Sequence, residues 1–264
     1  MISLRTHWLT PDSGRPLLVV GPSLGTAVVP LWEACATEVA RLSDMDVLGW
    51  ELPGHGDGEP ASGPFTLQEL AGSVVAAVEA ARPGLGSGWT HAGVSVGGAT
   101  GLHLALGGLV RGSAVICSGP RLGTAESWGE RAETVRRDGT RVMVDGSRER
   151  WFAPGFAERE PEVADRLLET LVAADDESYA LVCGALGQHD VRDRLGGISV
   201  PVLALGGADD VVAPPQMQHD LAAAVPAADA GVLDDVAHLA PAEAPRATAR
   251  ALTDWLARHP DIRT

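Results

Sequence analysis

Trp89-Thr90-His91-Ala92-Gly93-Val94-Ser95-Val96-Gly97-Gly98 is the stretch on which the architecture of this chain turns. Residues 89–94 form a short, mostly apolar run of the kind that becomes a buried strand, and residues 96–106 have helical spacing. Between them lies the pattern G-x-S-x-G. Chance alone supplies roughly 0.2 such matches in a chain of this composition, so the pattern matters only because of its setting. Small residues at 93 and 97 let a strand and a helix approach closely around a tight turn, which lifts the serine hydroxyl clear of the sheet.

Working outward, further short Val/Leu-rich runs at 17–21, 46–50, 113–117, 200–205 and 229–233 are expected as strands buried on both faces. Helical spacing falls at 32–42, 67–81, 215–225 and 241–259. Alternation with such short connections predicts an α/β fold, a mostly parallel sheet with helices on both faces. From about 119 to 195 there is no convincing strand, and amphipathic stretches such as 162–174 point to helices. We expect a core from 1–118 and 196–264, interrupted by a helical cap at 119–195. Such an insertion lies over the carboxyl ends of the strands, where ligands bind.

Composition narrows the partners. Twenty basic residues face 35 acidic ones, for a net charge of −15, and every base is Arg. A field of this sign repels phosphate backbones and anionic lipid, so neither nucleic acid nor a membrane surface is expected as a partner. An anionic substrate would need a local Arg cluster. The cysteines, Cys35, Cys117 and Cys183, are scattered and read as small buried hydrophobes. Neither a disulfide framework nor a structural zinc site is expected from their spacing. No apolar run reaches membrane-spanning length, and residues near Met1 lack the layout of a signal peptide. The cytoplasm is the expected location.

A serine nucleophile requires a base, and the base an orienting carboxylate. The strand ending near 205 runs into Gly206-Gly207-Ala208-Asp209-Asp210, and its register with Pro214 favours Asp210 over Asp209. The last strand runs into Asp234-Asp235-Val236-Ala237-His238, placing His238 on the loop that follows. The order Ser95, Asp210, His238 is the one used by α/β-hydrolases. His55 reads as structural, His91 falls within an expected strand and His103 mid-helix, and His7, His189, His219 and His259 show no partner pattern. The two amides that must receive a developing oxyanion are expected from Val96, next to the serine, and Leu24, on the loop after the first central strand. Pro22 has no N–H to offer.

At this point the residues resemble a known family. Pro22-Ser23-Leu24-Gly25-Thr26, Trp50-Glu51-Leu52-Pro53-Gly54-His55-Gly56 and the Ser95 motif are similar to the corresponding segments of the 3-oxoadipate enol-lactonases, which are α/β-hydrolases. So are residues 122–128, 150–156 and 210–215, and the likeness runs over roughly 10–258. The resemblance implies hydrolysis of 3-oxoadipate enol-lactone to 3-oxoadipate in aromatic catabolism, without metal or organic cofactor. Ser95 would attack the lactone, His238 take its proton and Asp210 hold the imidazole. The implied substrate is a small anionic lactone, with Trp128 as a pocket wall and Arg131 as the anchor for its carboxylate. Arg121 is the second choice. Homo-oligomerisation is left open. The alternative is a related hydrolase of another ester, thioester or C–C bond, or a cofactor-free haloperoxidase-like enzyme. Pro22 and the apolar run 27–32 depart from the family pattern beside the oxyanion loop.

Overall fold

Five apolar runs become strands because each can bury both faces at once. The computed structural model describes residues 2–262. Its elements up to the cap are β1 (Thr6–Trp8), β2 (Leu17–Gly21), α1 (Val28–Leu42), β3 (Asp46–Trp50), α2 (Leu67–Ala81), β4 (Trp89–Val94), α3 (Val96–Leu106) and β5 (Gly112–Ile116). Helices α4 (Ala125–Asp138), α5 (Val144–Trp151), α6 (Phe156–Arg159), α7 (Pro161–Ala173) and α8 (Asp176–Gly187) follow. The chain then returns through β6 (Val202–Gly207), α9 (Pro215–Ala224), β7 (Ala228–Leu233), α10 (Ala240–Glu243) and α11 (Pro245–Arg258). This is the α/β-hydrolase fold.

The sheet order is β1-β3-β2-β4-β5-β6-β7, parallel throughout except for antiparallel β1. Strands β2 to β6 are buried along their whole length, and β7 at the edge is only half-buried. Helices α1 and α11 pack together, as do α2 and α3, while α9 covers β6 and β7. Because β4, β6 and β7 are parallel, the loops that follow them emerge on one edge. Ser95, Asp210 and His238 stand on that edge.

Two boundaries and one additional strand differ from expectation for identifiable reasons. Helix α1 begins at Val28, four residues before the expected start, because its first amide is received by both carboxylate oxygens of Glu51, each at 3.0 Å. A cap from the end of β3 leaves no local sequence signal. The segment expected as one helix over 241–259 is two, since Pro245 forces Ala244 out of helical geometry (φ −137°, ψ 64°). Strand β1 is three half-buried residues with no apolar alternation to betray it.

Among the described residues no strand lies between β5 and β6, and no helix is long and apolar enough to cross a membrane. The helices of this stretch close over the carboxyl edge. Trp151 and Leu171 lie against Gly25, and the Asp175 amide donates to Gly54 O at 2.8 Å.

Candidate active site

Ser95 stands between β4 and α3 at φ 54°, ψ −116°. A side chain is rarely held there, and the arrangement costs on the order of 1–3 kcal/mol. Packing enforces it. A Cβ on Gly93 would lie 2.3 Å from the carbonyl carbon of Gly97, and one on Gly97 would lie 2.7 Å from Pro22 O. Ser95 itself is 7% exposed. Its amide donates to Ile116 O at 2.9 Å, and its carbonyl accepts the Ser118 hydroxyl at 2.6 Å. Gln218 of α9 in turn donates to Ser118 O at 2.9 Å, so the turn is braced from two neighbouring elements.

The two candidate acids part company. Asp209 is exposed, whereas Asp210 is buried and receives His238 Nδ1 at 2.9 Å on Oδ2. Its other oxygen accepts the amides of Val212 (2.8 Å) and Ala213 (3.1 Å). Burial alone would raise the Asp210 carboxyl. The neighbouring His238 and these amides outweigh it and hold the group below the ordinary aspartate range. Since an ionised carboxylate only accepts, Nδ1 carries the imidazole proton and Nε2 is left as a base. The structure thus brings Asp210 and His238 into contact and puts Ser95 on the same edge of the sheet.

The loop after β2 is closed on itself. Ser23 N donates to Thr26 Oγ1 at 3.1 Å, and Thr26 N and Oγ1 both donate to Ser23 O. Among the described residues the Leu24 amide has no backbone acceptor, which suits a donor aimed at a ligand. Pro22 does not disrupt this arrangement. Its carbonyl accepts the Gly97 amide at 3.1 Å and so docks the start of α3, with Val96 as its first residue, against the loop.

Further polar and aromatic side chains come from α4, α5 and α8. Trp128 is half-buried, and its Nε1 donates to Leu122 O. The Arg131 guanidinium lies 5.6 Å from the Trp128 ring and 5.6 Å from the Tyr179 ring, and Tyr179 stacks on His55 at 6.0 Å. Arg136, Arg137, Arg148 and Arg166 pair with acids, but among the described residues Arg131 and Arg150 have none within 4.0 Å. Desolvation first, and then repulsion from Arg131, lowers the Arg150 guanidinium. Arg131 Nε and the Tyr179 hydroxyl are buried without a hydrogen-bond partner, and burial pushes the Tyr179 phenol up to about 12. Two half-buried cations with unused donors form an environment that an anion would complete. Arg121 is exposed and lies instead beside Arg192 and Met217, on a cavity of about 530 Å³.

Sequence reasoning assigned no role to Arg150, Trp151, Tyr179 or Glu243. Trp151 O accepts the His238 amide at 3.2 Å, and Glu243 receives the amides on either side of it. Residues 150 and 151 lie in a segment that the family resemblance had marked. Nothing in local spacing singles out Tyr179 or Glu243. The three cysteines are buried, as expected. His7, His189 and His259 do have partners, in Asp57, His103 and Asp229 respectively.

A family model described as "Serine aminopeptidase, S33" matches residues 38–240. The chain is 34% identical over 204 residues to 3-oxoadipate enol-lactonase 2 of Acinetobacter baylyi, covering 76% of this chain and 74% of that protein. In three dimensions it is similar to an enol-lactonase from Burkholderia xenovorans LB400, with TM-score 0.87, 30% identity and 96% coverage of both chains. A thermophilic esterase from Thermogutta terrifontis superposes with TM-score 0.88 over 99% of this chain and 94% of its own. At 22% identity that likeness speaks to the fold alone.

Proposed function

The chain belongs to the α/β-hydrolase family described as serine aminopeptidase, S33, and within it we propose an enol-lactonase that opens 3-oxoadipate enol-lactone to 3-oxoadipate through Ser95, His238 and Asp210. The carrying observation is the acid-free pair Arg131 and Arg150 in the cap of a strongly acidic protein. A neutral ester would leave both cations unanswered. A lactone with a free carboxylate would satisfy them, and the likeness to enol-lactonases supports the same substrate.

In this reading Ser95 Oγ attacks the lactone carbonyl while His238 Nε2 takes its proton. The imidazolium formed is held by Asp210 Oδ2. The oxyanion is received by the amides of Leu24 and Val96. Collapse breaks the ring C–O bond, and the departing enolate takes the proton from His238 and becomes the ketone. The acyl chain, now linear, remains on Ser95. Water deprotonated by His238 then attacks the ester, and release returns the proton to Ser95. The carboxylate lies between Arg131 and Arg150, with Trp128 as the adjoining wall.

The direct test follows loss of the lactone's ultraviolet absorbance with freshly generated substrate. Turnover with kcat/KM above about 10⁴ M⁻¹s⁻¹, abolished in Ser95→Ala, is expected. Ser95-dependent cleavage of a simple aryl ester without lactone turnover would overturn the substrate assignment and leave the hydrolase.

A further inference from the structure

We propose that Glu243 is a positioning residue for His238, a carboxylate clasp that grips the histidine's main chain on both sides and fastens it to the cap. The proposal rests on the reading of Ser95, His238 and Asp210 as the acyl-transfer machinery.

The geometry is specific. Glu243 Oε1 accepts the amides of Ala237 (3.0 Å) and Leu239 (3.2 Å), the two residues flanking His238. Its Oε2 accepts the amide of Ala153 at 2.7 Å, from the cap segment directly after α5. The same segment reaches back, since Trp151 O accepts the amides of His238 (3.2 Å) and Leu239 (3.3 Å). Three consecutive amides, 237 to 239, are therefore held by one side chain and one cap carbonyl. Glu243 is set by α10, a single turn whose last amide donates to Leu239 O at 3.0 Å. The clasp and the loop it holds thus form one short closed unit.

Three N–H donors converge on this carboxylate, and only the ionised form can accept from all of them on both oxygens. A protonated carboxyl or a carboxamide turns one acceptor into a donor and faces an amide with it. The ionised form also adds a second negative charge beside the imidazole on which positive charge develops. Opposing this, burial pushes the Glu243 carboxyl up to about 7, with the amides of Ala153, Leu239 and Ala237 and then His238 pulling it down. On the core side the neighbouring titratable groups are His238 and Cys117, with Asp210 behind them, bonded to His238. Across a cleft of about 390 Å³ stand Glu33, Arg166, Glu160 and Glu162 from α1 and the α7 region. Glu33 and Arg166 pair with each other. The clasp is therefore closed above neutral pH and loosens as the carboxyl takes a proton.

The test compares wild type with Glu243→Gln on phenyl acetate, a neutral ester independent of the lactone assignment, between pH 6 and 8.5. At pH 8 the variant is expected to lose about tenfold or more in kcat with KM changed less than threefold. Toward pH 6, where wild-type Glu243 is itself protonated, the two enzymes converge to within about threefold. A wild-type to variant ratio constant across this range, or a variant within twofold of wild type at pH 8, overturns the proposal. A merely structural role predicts the constant ratio. Should Glu243→Gln fold poorly, the His238 Hε1 resonance of the wild-type protein carries the test, assigned by its loss in His238→Gln. Its titration must report a second, neighbouring ionisation; a single-site curve overturns the clasp. Ester hydrolysis surviving Ser95→Ala would instead sink the machinery on which the clasp rests.

Discussion

At the scale of single residues, charge without a partner carries the most information. Arg131 lies between the faces of Trp128 and Tyr179 with its Nε buried and unbonded. Such a guanidinium is not a stabilising device, since an unanswered buried donor costs free energy rather than contributing it. A hydrogen bond to a charged group is worth about 1.5–3 kcal/mol, or roughly 10- to 150-fold in an equilibrium or rate. Arg131→Ala is therefore expected to lower kcat/KM for the lactone by about that factor, mainly through KM, and Arg150→Met should do so more weakly. Neither should change phenyl acetate hydrolysis by more than about threefold. Equal losses on both esters would show that the arginines support the fold rather than the carboxylate. The same scale separates Asp210 from its exposed neighbour Asp209, because only Asp210 meets His238.

At the scale of elements, the strand–turn–helix unit of β4 and α3 works by close backbone approach. Gly21 of β2 pairs with Gly93 of β4, and the chain at Gly97 presses on the carbonyls of Gly21 and Pro22. A methyl group at 93 would strike main chain, which cannot rotate away as a side chain could. Gly93→Ala is expected to destabilise the protein by ~3 kcal/mol or more, read as a lower midpoint in urea unfolding, and to reduce Ser95-dependent turnover. A loss below about 1 kcal/mol would mean that α3 can slide along the sheet. Helix α1 shows the reverse dependence. It has no side-chain cap of its own, and a carboxylate from β3 takes its place.

Stability against pH belongs to the whole molecule, because it sums groups buried in separate parts of the fold. Burial lowers His55 to about 4, His91 to about 3 and His103 to about 4. These imidazoles stay neutral in the native state while the unfolded chain binds protons near pH 6.5. Their contribution is present above that pH and is lost as pH falls from 6.5 toward 4. Glu51, raised to about 8, and Glu243, raised to about 7, act in the opposite direction, both through desolvation first. Their contribution is full below the ordinary glutamate range and is lost as pH rises through 7 and 8. Each group changes stability by about 1.4 kcal/mol per pH unit within its window. With His189, which burial also lowers, four histidines outnumber the two carboxylates, so thermal unfolding midpoints are expected to peak near pH 6.5 and fall on both sides. A midpoint still rising at pH 8 would contradict the burial assigned to Glu51.

The α/β layering, and the turn and loop on which Ser95 and His238 stand, were legible in the chain because each is encoded locally. The period of the apolar runs decides strand or helix, and glycines around a serine decide a tight turn. Parallel strands then oblige the loops carrying Ser95, Asp210 and His238 to share an edge. What remained hidden depends on contacts between residues far apart in sequence. The start of α1 waits on Glu51, whereas Asp210, already favoured over Asp209 by its register with Pro214, is the acid that meets His238. The proposed anion subsite needs α4, α5 and α8 to bring Arg131, Arg150 and Tyr179 together. The clasp by Glu243 needs the cap and the last loop to meet. Local propensity acts over a few residues, whereas capping, charge pairing and desolvation are settled only when the folded chain decides which groups are buried together.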